Sequence, residues 1–152
     1  GLRRGEPLPL GLAVLTMMAG CRRRLVPLAV AATGGFEALA DIGDGSARAL
    51  AGCGVRAVVV TAGDLSAGLT EGSPLYRVDG AAAWDEEVVA LVAAGRLDGL
   101  AGLGPAEARR VGALGWAPMA VLHGVCVRAG VRLSLRHYSA PRGVGYLVAD
   151  GG

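Results

Sequence analysis

The chain has 152 residues, 53% of them hydrophobic, which suffices for one sizeable core and is too little for two ordinary domains. The formal net charge is +2 and the fifteen basic residues, all arginine, are scattered, which argues against a nucleic-acid-binding surface. No apolar run reaches the ~18 residues of a membrane-spanning helix.

The N-terminal third of the chain contains two short apolar runs. Residues 10–18 have a broad apolar face that predicts a helix, and residues 25–31 include β-branched residues that predict a strand. An arginine pair before the first run and Cys21 after it also resemble a short secretory signal, but the second run directly behind favours a helix that leads into a strand. Residues 36–50 then show apolar positions at helical spacing and predict a second helix.

The clearest strand signal lies at residues 56–62, which contain three successive valines and have glycines nearby on both sides. This composition predicts a central strand covered on both faces and parallel to the strand at residues 25–31. Residues 63–79 carry Gly, Ser, Pro and Thr without periodicity and predict a long loop, which in compact domains is often functional. Residues 81–94 predict a helix whose first turns hold acidic residues that favour the helix dipole.

The C-terminal part of the chain predicts further helices and then a hairpin. Residues 97–103 indicate a short helix, Pro105 opens a second, and residues 119–129 form a third that ends at a glycine. Residues 131–136 alternate between apolar and polar, and residues 144–149 form a last apolar strand. These two strands predict a β-hairpin at one edge of the sheet.

In chain order these elements predict a single domain over residues 1–152 with the order α-β-α-β-loop-α-α-α-β-β. The alternation predicts an α/β fold, namely a three-layer α/β/α sandwich with a mixed, largely parallel sheet and a C-terminal β-hairpin. The odd number and wide spacing of Cys21, Cys53 and Cys126 fit reduced thiols, which predicts a cytoplasmic protein.

Three stretches of the sequence resemble one protein family. Residues 57–66 read AVVVTAGDLS, residues 115–122 read GWAPMAVL, and residues 138–149 read YSAPRGVGYLVA. Together they resemble the LigB-like catalytic subunits of class III extradiol ring-cleavage dioxygenases and the related Memo-type proteins. The resemblance extends from about residue 8 to the end of the chain.

The resemblance implies a non-haem Fe(II) held by two His and a third ligand, usually Glu, with a further His as acid/base. Such a facial ligand set binds a catechol-type substrate and dioxygen together. At the position of the family's loop His this chain has Ala67, and Leu114 occupies the position of a possible third ligand. The segment that carries the two N-terminal His ligands has no counterpart, so we expect no metal and no cofactor in this chain.

The same stretches contain the candidate site residues. Asp64 and Ser66 follow the predicted central strand, where they could bind substrate or cap the next element through backbone N–H groups. His137, at a strand end, could line the same mouth as Asp64. Tyr138 and Tyr146 could bind substrate through their hydroxyls or pack as strand residues. We take these five residues as substrate-binding candidates and none of them as catalytic.

Two functions are compatible with these features. The first is a LigB-like protein that is catalytically degenerate on its own and acts as a binding or partner subunit, with a small aromatic ligand as a candidate. The second is a non-haem iron ring-cleavage dioxygenase whose ligands come from a missing N-terminal segment or a partner chain. Without the family's N-terminal strands a sheet edge or apolar face is left to cover, which predicts a homo-oligomer or a partner subunit. Neither nucleic acid nor a membrane is an expected partner.

Overall fold

A computed structural model describes residues 26–30 and 34–152 of the chain. The predicted helix at residues 10–18 lies outside the described residues, as do Leu25 and Ala31 at the ends of the first predicted strand. No helix of the described part is long and apolar enough to cross a membrane. The regular elements of this part are α1 (Phe36–Gly52), α2 (Ala81–Ala93), α3 (Leu100–Val111), α4 (Trp116–Ala129), β1 (Ser134–Ser139) and β2 (Tyr146–Asp150), with short 3₁₀ turns at Leu97–Gly99 and Pro141–Gly143.

Helices α1 and α4 pack closely because glycines lie in their contact. A Cβ built on Gly43 of α1 would lie 1.9 Å from the carbonyl oxygen of Val121, and one on Gly124 of α4 would lie 1.9 Å from that of Ala40. Since neither glycine has a side chain, each backbone approaches the other helix directly. The contact therefore has no room for a larger residue at either glycine.

Charged side chains join the same two helices at the surface. Asp44 of α1 accepts a hydrogen bond from Nε of Arg128 in α4 at 2.6 Å, and it also pairs with Arg48 one turn further along α1. The hydrogen bonds from Arg128 and then Arg48 lower the pKa of Asp44 to about 2. Because both arginines are exposed, these pairs contribute little to the stability of the fold.

Helix α3 is kinked at the position where the sequence predicts a new helix. Gly104 has φ 65, outside the helical region, and Pro105 follows it. The helix ends at Gly112, whose positive φ of 74 is typical of a C-terminal glycine. The indole N–H of Trp116 donates to the carbonyl of Leu100 at 3.0 Å and so connects the starts of α4 and α3.

The C-terminal hairpin is present, with its strands shifted along the chain from the predicted ones. β1 and β2 pair antiparallel with Tyr138 opposite Leu147, and the register is irregular between Leu135 and His137. The face that contains Tyr138 and Leu147 packs against the helical core, in contact with α2. The hairpin thus covers one side of the helices.

The predicted three-layer α/β/α sandwich with a mixed, largely parallel sheet is wrong. In the described part of the chain the sheet consists of the hairpin, and almost all buried apolar residues lie on or beside the helices. Residues 56–62, which we call the valine segment, form no strand, and Val58, Val59 and Val60 are 86%, 37% and 44% exposed. The segment predicted as the central strand therefore faces solvent on both sides.

The physical reason is that a valine run becomes a buried central strand only where other strands and a layer of helices cover it. Residues 26–30, the described part of the other predicted parallel strand, are not paired in a sheet, and Val26 and Leu28 are exposed. The helices bury their apolar faces against one another and against the hairpin instead. The valine segment is left outside this core.

Candidate functional site

The loop that follows the valine segment is held by distant parts of the chain. The N–H of Leu65 donates to the carbonyl of Gly145 at 2.8 Å, and the N–H of Gly145 donates to the carbonyl of Ser66 at 2.8 Å. The N–H of Gly115, before α4, donates to the carbonyl of Asp64 at 2.7 Å. The three stretches that resemble the dioxygenase family therefore meet at this loop.

A buried carboxylate, Asp85 of α2, joins this loop to the hairpin. Asp85 is 1% exposed; its Oδ1 accepts the N–H of Ser66 at 2.8 Å, and its Oδ2 accepts the hydroxyl of Tyr138 at 2.8 Å. Gly145 lies so close that a Cβ there would be 1.9 Å from Oδ2. We call Asp85, Ser66 and Tyr138 the Asp85 cluster.

Tyr138 acts in this cluster as a hydrogen-bond donor. Burial, and then the hydrogen bond to Asp85, raise the pKa of Tyr138 well above its ordinary value of 10.0, and the charges of Asp85 and Glu86 act in the same direction. The phenol therefore keeps its proton at neutral pH and holds the Asp85 carboxylate in place.

Two buried polar atoms in or beside the cluster have no hydrogen-bond partner among the described residues. They are Oγ of Ser66 and Nε1 of Trp84. An unpaired buried polar group costs about 1–3 kcal/mol. Because neither atom reaches the surface, neither is open to a substrate that arrives from solvent.

The predicted site residues are divided between the inside and the outside of the molecule. Tyr138 faces the core, whereas His137 and Tyr146 lie on the exposed face of the hairpin. Successive residues of a strand face opposite sides, so His137 points away from Tyr138 and from the core. Asp64 is half-buried, and its backbone carbonyl accepts the N–H of Gly115. Of the five candidates the structure joins only Ser66 and Tyr138 through hydrogen bonds to one side chain.

Sequence reasoning missed Asp85, to which it assigned only a favourable interaction with the helix dipole. The burial of Asp85 could have been predicted from the spacing of the apolar residues in α2. A charged residue within an apolar stripe at helical spacing is expected to be buried with hydrogen-bond partners. The buried residues of α2 are Ala81, Trp84, Asp85, Val88 and Val92.

The described residues do not fit the Fe(II) site of the family. Ala67, at the position of the catalytic His, is 9% exposed and carries only a methyl group, while Leu114, at the possible third-ligand position, is 69% exposed and apolar. No group of three or more His, Cys, Asp or Glu within residues 26–30 and 34–152 is arranged to hold a metal ion. These residues therefore support no reaction step through iron.

A surface cleft of about 300 Å³ lies elsewhere, beside the second half of α4. His123, Cys126 and Arg132 contribute to its lining. The imidazole of His123 packs 5.2 Å from the ring of Phe36, and burial raises the pKa of the Cys126 thiol. Both side chains thus act as packed helix residues, and none of the Asp85 cluster lines the cleft.

No protein-family model and no curated protein matches the chain. A functional assignment therefore rests on the geometry of this chain and on the three stretches of its sequence.

Proposed function

We propose that this chain is a LigB-like protein of the class III extradiol dioxygenase superfamily that has lost catalysis and acts as a binding or partner subunit. The observation that carries the proposal is the Asp85 cluster, at the point where the three family-like stretches meet. A catalytic site needs polar groups that are free to contact a substrate. In this cluster the Asp85 carboxylate is bonded to the backbone N–H of Ser66 and to the hydroxyl of Tyr138, and the remaining polar atom, Oγ of Ser66, is buried.

The hydrogen bonding of Asp85 supports a structural role. Each of its carboxylate oxygens accepts a hydrogen bond from the protein, one from a backbone N–H and one from Tyr138. A general base needs to lie within hydrogen-bond reach of a substrate proton. Asp85 is 1% exposed and the backbone of Gly145 packs against Oδ2, so the carboxylate does not face solvent. The carboxylate therefore connects α2, the loop and the hairpin through hydrogen bonds.

The residues at the family's functional positions also support the loss of catalysis. Ala67 has no group that transfers a proton, and Leu114 has no atom that ligates a metal. A protein that retained ring cleavage with this chain alone would need an acid/base and ligands from other residues.

The exposure of the valine segment supports the other part of the proposal, which is that the chain binds a partner. Val58 is 86% exposed, and Val59 and Val60 also contact solvent. Contiguous exposed apolar residues mark interaction surfaces in soluble proteins. A partner that covered this segment would remove apolar surface from water, at about 25 cal/mol for each Å² buried.

The compartment in this proposal is the cytoplasm. Cys53 is exposed, Cys126 is buried, and within residues 26–30 and 34–152 both are free thiols. Free thiols persist where the surroundings are reducing, which supports this compartment.

Iron binding and oxygen uptake test the loss of catalysis. After incubation with Fe(II) and removal of the excess, we expect the purified chain to hold substoichiometric iron and to consume no oxygen with catechol beyond a protein-free control. Elemental analysis and an oxygen electrode supply the two readouts. Stoichiometric iron with catechol-dependent oxygen uptake would contradict the proposal, and uptake that requires an added partner chain would favour an enzyme with shared ligands.

A further inference from the structure

Opposite charges lie at equal distances on either side of Val60 in the valine segment. Arg56 begins the segment and Asp64 lies just beyond its end, so Val60 stands midway, four residues from each. Arg56 is exposed and Asp64 is half-buried. Val58 and Val60, which share a face with these charges in an extended chain, are 86% and 44% exposed.

The backbone of the segment is available for pairing. None of the backbone hydrogen bonds among the described residues involves residues 56–62. The chain is anchored on both sides, since the N–H of Cys53 is bonded to the end of α1 and the carbonyl of Asp64 is bonded to Gly115. An anchored apolar segment with free N–H and C=O groups has the properties of an open sheet edge, to which another strand adds.

We propose that two copies of this chain pair their valine segments as antiparallel strands, with a two-fold axis at Val60. This register places Arg56 of each copy opposite Asp64 of the other, Val60 opposite Val60 and Val58 opposite Ala62. Opposite charges and β-branched residues that face each other across two strands stabilise the pairing. The inference rests on the proposed function as a partner-binding subunit and names the partner as a second copy.

Charge complementarity selects this register. A parallel pair in register would place Arg56 beside Arg56 and Asp64 beside Asp64, and like charges directly opposite each other are destabilising. Moving the antiparallel axis to Val59 would set Arg56 opposite Ala62 and leave both charges unpaired. A second copy supplies both complementary charges at once and closes the contact with two-fold symmetry.

Charge reversal tests the register. We expect sedimentation to show a dimer whose fraction rises with concentration. Arg56→Asp or Asp64→Arg alone should raise the dimer dissociation constant about tenfold, because two pairs in each dimer change from attraction to repulsion. The double variant restores the pairs and should return most of the affinity, while circular dichroism checks that each variant is folded. A monomer at every concentration, or a double variant as weak as the single ones, would overturn the pairing.

Cross-linking tests the axis without changing a charge. In a background with Cys21, Cys53 and Cys126 replaced by alanine, Val60→Cys should form a disulfide-linked dimer on mild oxidation, because the two side chains face each other. Val58→Cys is the matched control. In the paired strands the side chains at position 58 of the two copies lie four residues apart along the strand direction. This distance, roughly 13 Å, is too long for a disulfide. Efficient cross-linking of the control, or none at Val60→Cys, would overturn the axis.

The outcomes of these tests separate the pairing from the proposed function. A monomeric chain that binds no iron and consumes no oxygen would overturn the pairing and leave the loss of catalysis in place. A dimeric chain that binds iron and consumes oxygen with catechol would support the pairing and overturn the loss of catalysis.

Discussion

Asp85 connects three parts of the chain that are remote in sequence. Burial of a carboxylate is unfavourable unless hydrogen bonds replace its hydration. Here a backbone N–H of Ser66 and the hydroxyl of Tyr138 supply these bonds, one from a loop and one from the hairpin. Correct placement of each part therefore favours correct placement of the others.

Loss of this carboxylate should destabilise the fold. Asp85→Ala leaves the N–H of Ser66 and the hydroxyl of Tyr138 without an acceptor, and each unpaired buried group costs about 1–3 kcal/mol. We expect the free energy of unfolding in urea denaturation to fall by about 3 kcal/mol. Glu86→Ala, at the exposed neighbouring position, is the control and should change it by less than about 0.5 kcal/mol. Equal effects of the two variants would show that the cluster does not organise the fold.

Tyr138 should make stability depend on alkaline pH. Its pKa is raised in the folded chain, first by burial and then by the hydrogen bond to Asp85. The unfolded chain releases this proton near pH 10, whereas the folded chain retains it, so rising pH favours the unfolded state. The contribution of the protonated Tyr138 to the stability of the fold is therefore complete below about pH 10 and decreases above it. Urea denaturation above about pH 10 should show that the free energy of unfolding falls more steeply with pH for the unmodified chain than for Tyr138→Phe. Equal dependence of this free energy on pH in the two proteins would contradict the prediction.

Helix α1 shows that two glycines of one helix serve different purposes. Both Gly43 and Gly45 lower the intrinsic helix propensity. Gly43 lies against the backbone of α4, where a Cβ would collide with a carbonyl, while a Cβ on Gly45 would have nothing within 4 Å. The first glycine is required by packing, and the second is not.

Alanine substitutions should therefore change stability with opposite signs. Gly43→Ala, or Gly124→Ala on the facing helix, forces α1 and α4 apart and should lower the free energy of unfolding by about 1–3 kcal/mol. Gly45→Ala in the same helix should raise it by up to about 1 kcal/mol through higher helix propensity. Thermal denaturation monitored by circular dichroism measures all three variants. A gain in stability from Gly43→Ala would contradict the close contact.

On the scale of the molecule, the helices and the hairpin of the described part surround one core, and the valine segment lies outside that core. Helices bury apolar residues without neighbouring strands, because their backbone hydrogen bonds are internal. The valine segment needs a second strand to satisfy its backbone, and none is paired with it among the described residues. Its apolar side chains therefore stay exposed to solvent.

The location of the valine segment predicts a contrast between two aspartate substitutions. Val58→Asp, at an 86% exposed position, should change the free energy of unfolding of dilute, monomeric protein by less than about 0.5 kcal/mol. Val88→Asp, at a 0% exposed position of α2, should lower it by more than about 3 kcal/mol because it buries a charge. Urea denaturation of both variants checks the contrast. A large loss in Val58→Asp would indicate that the segment is buried in the monomer.

Local signals in the sequence sufficed to locate most elements of the described part. α1, α2, α4 and the hairpin lie within a few residues of their predicted positions. Apolar spacing, terminal glycines and strand alternation act over neighbouring residues, so they are readable without knowledge of the fold. The kink in α3 was readable for the same reason, since Gly104 and Pro105 are adjacent.

Contacts between remote residues set the fold class and the candidate site. A run of valines looks the same in the sequence whether neighbouring strands cover it or solvent surrounds it. The spacing of its apolar residues could therefore not show that it lies outside the core. The partners of Asp85 come from Ser66 and Tyr138, and no local pattern indicates that these two positions meet. Burial and hydrogen bonding of these groups depend on how the helices pack, which is a property of the assembled chain.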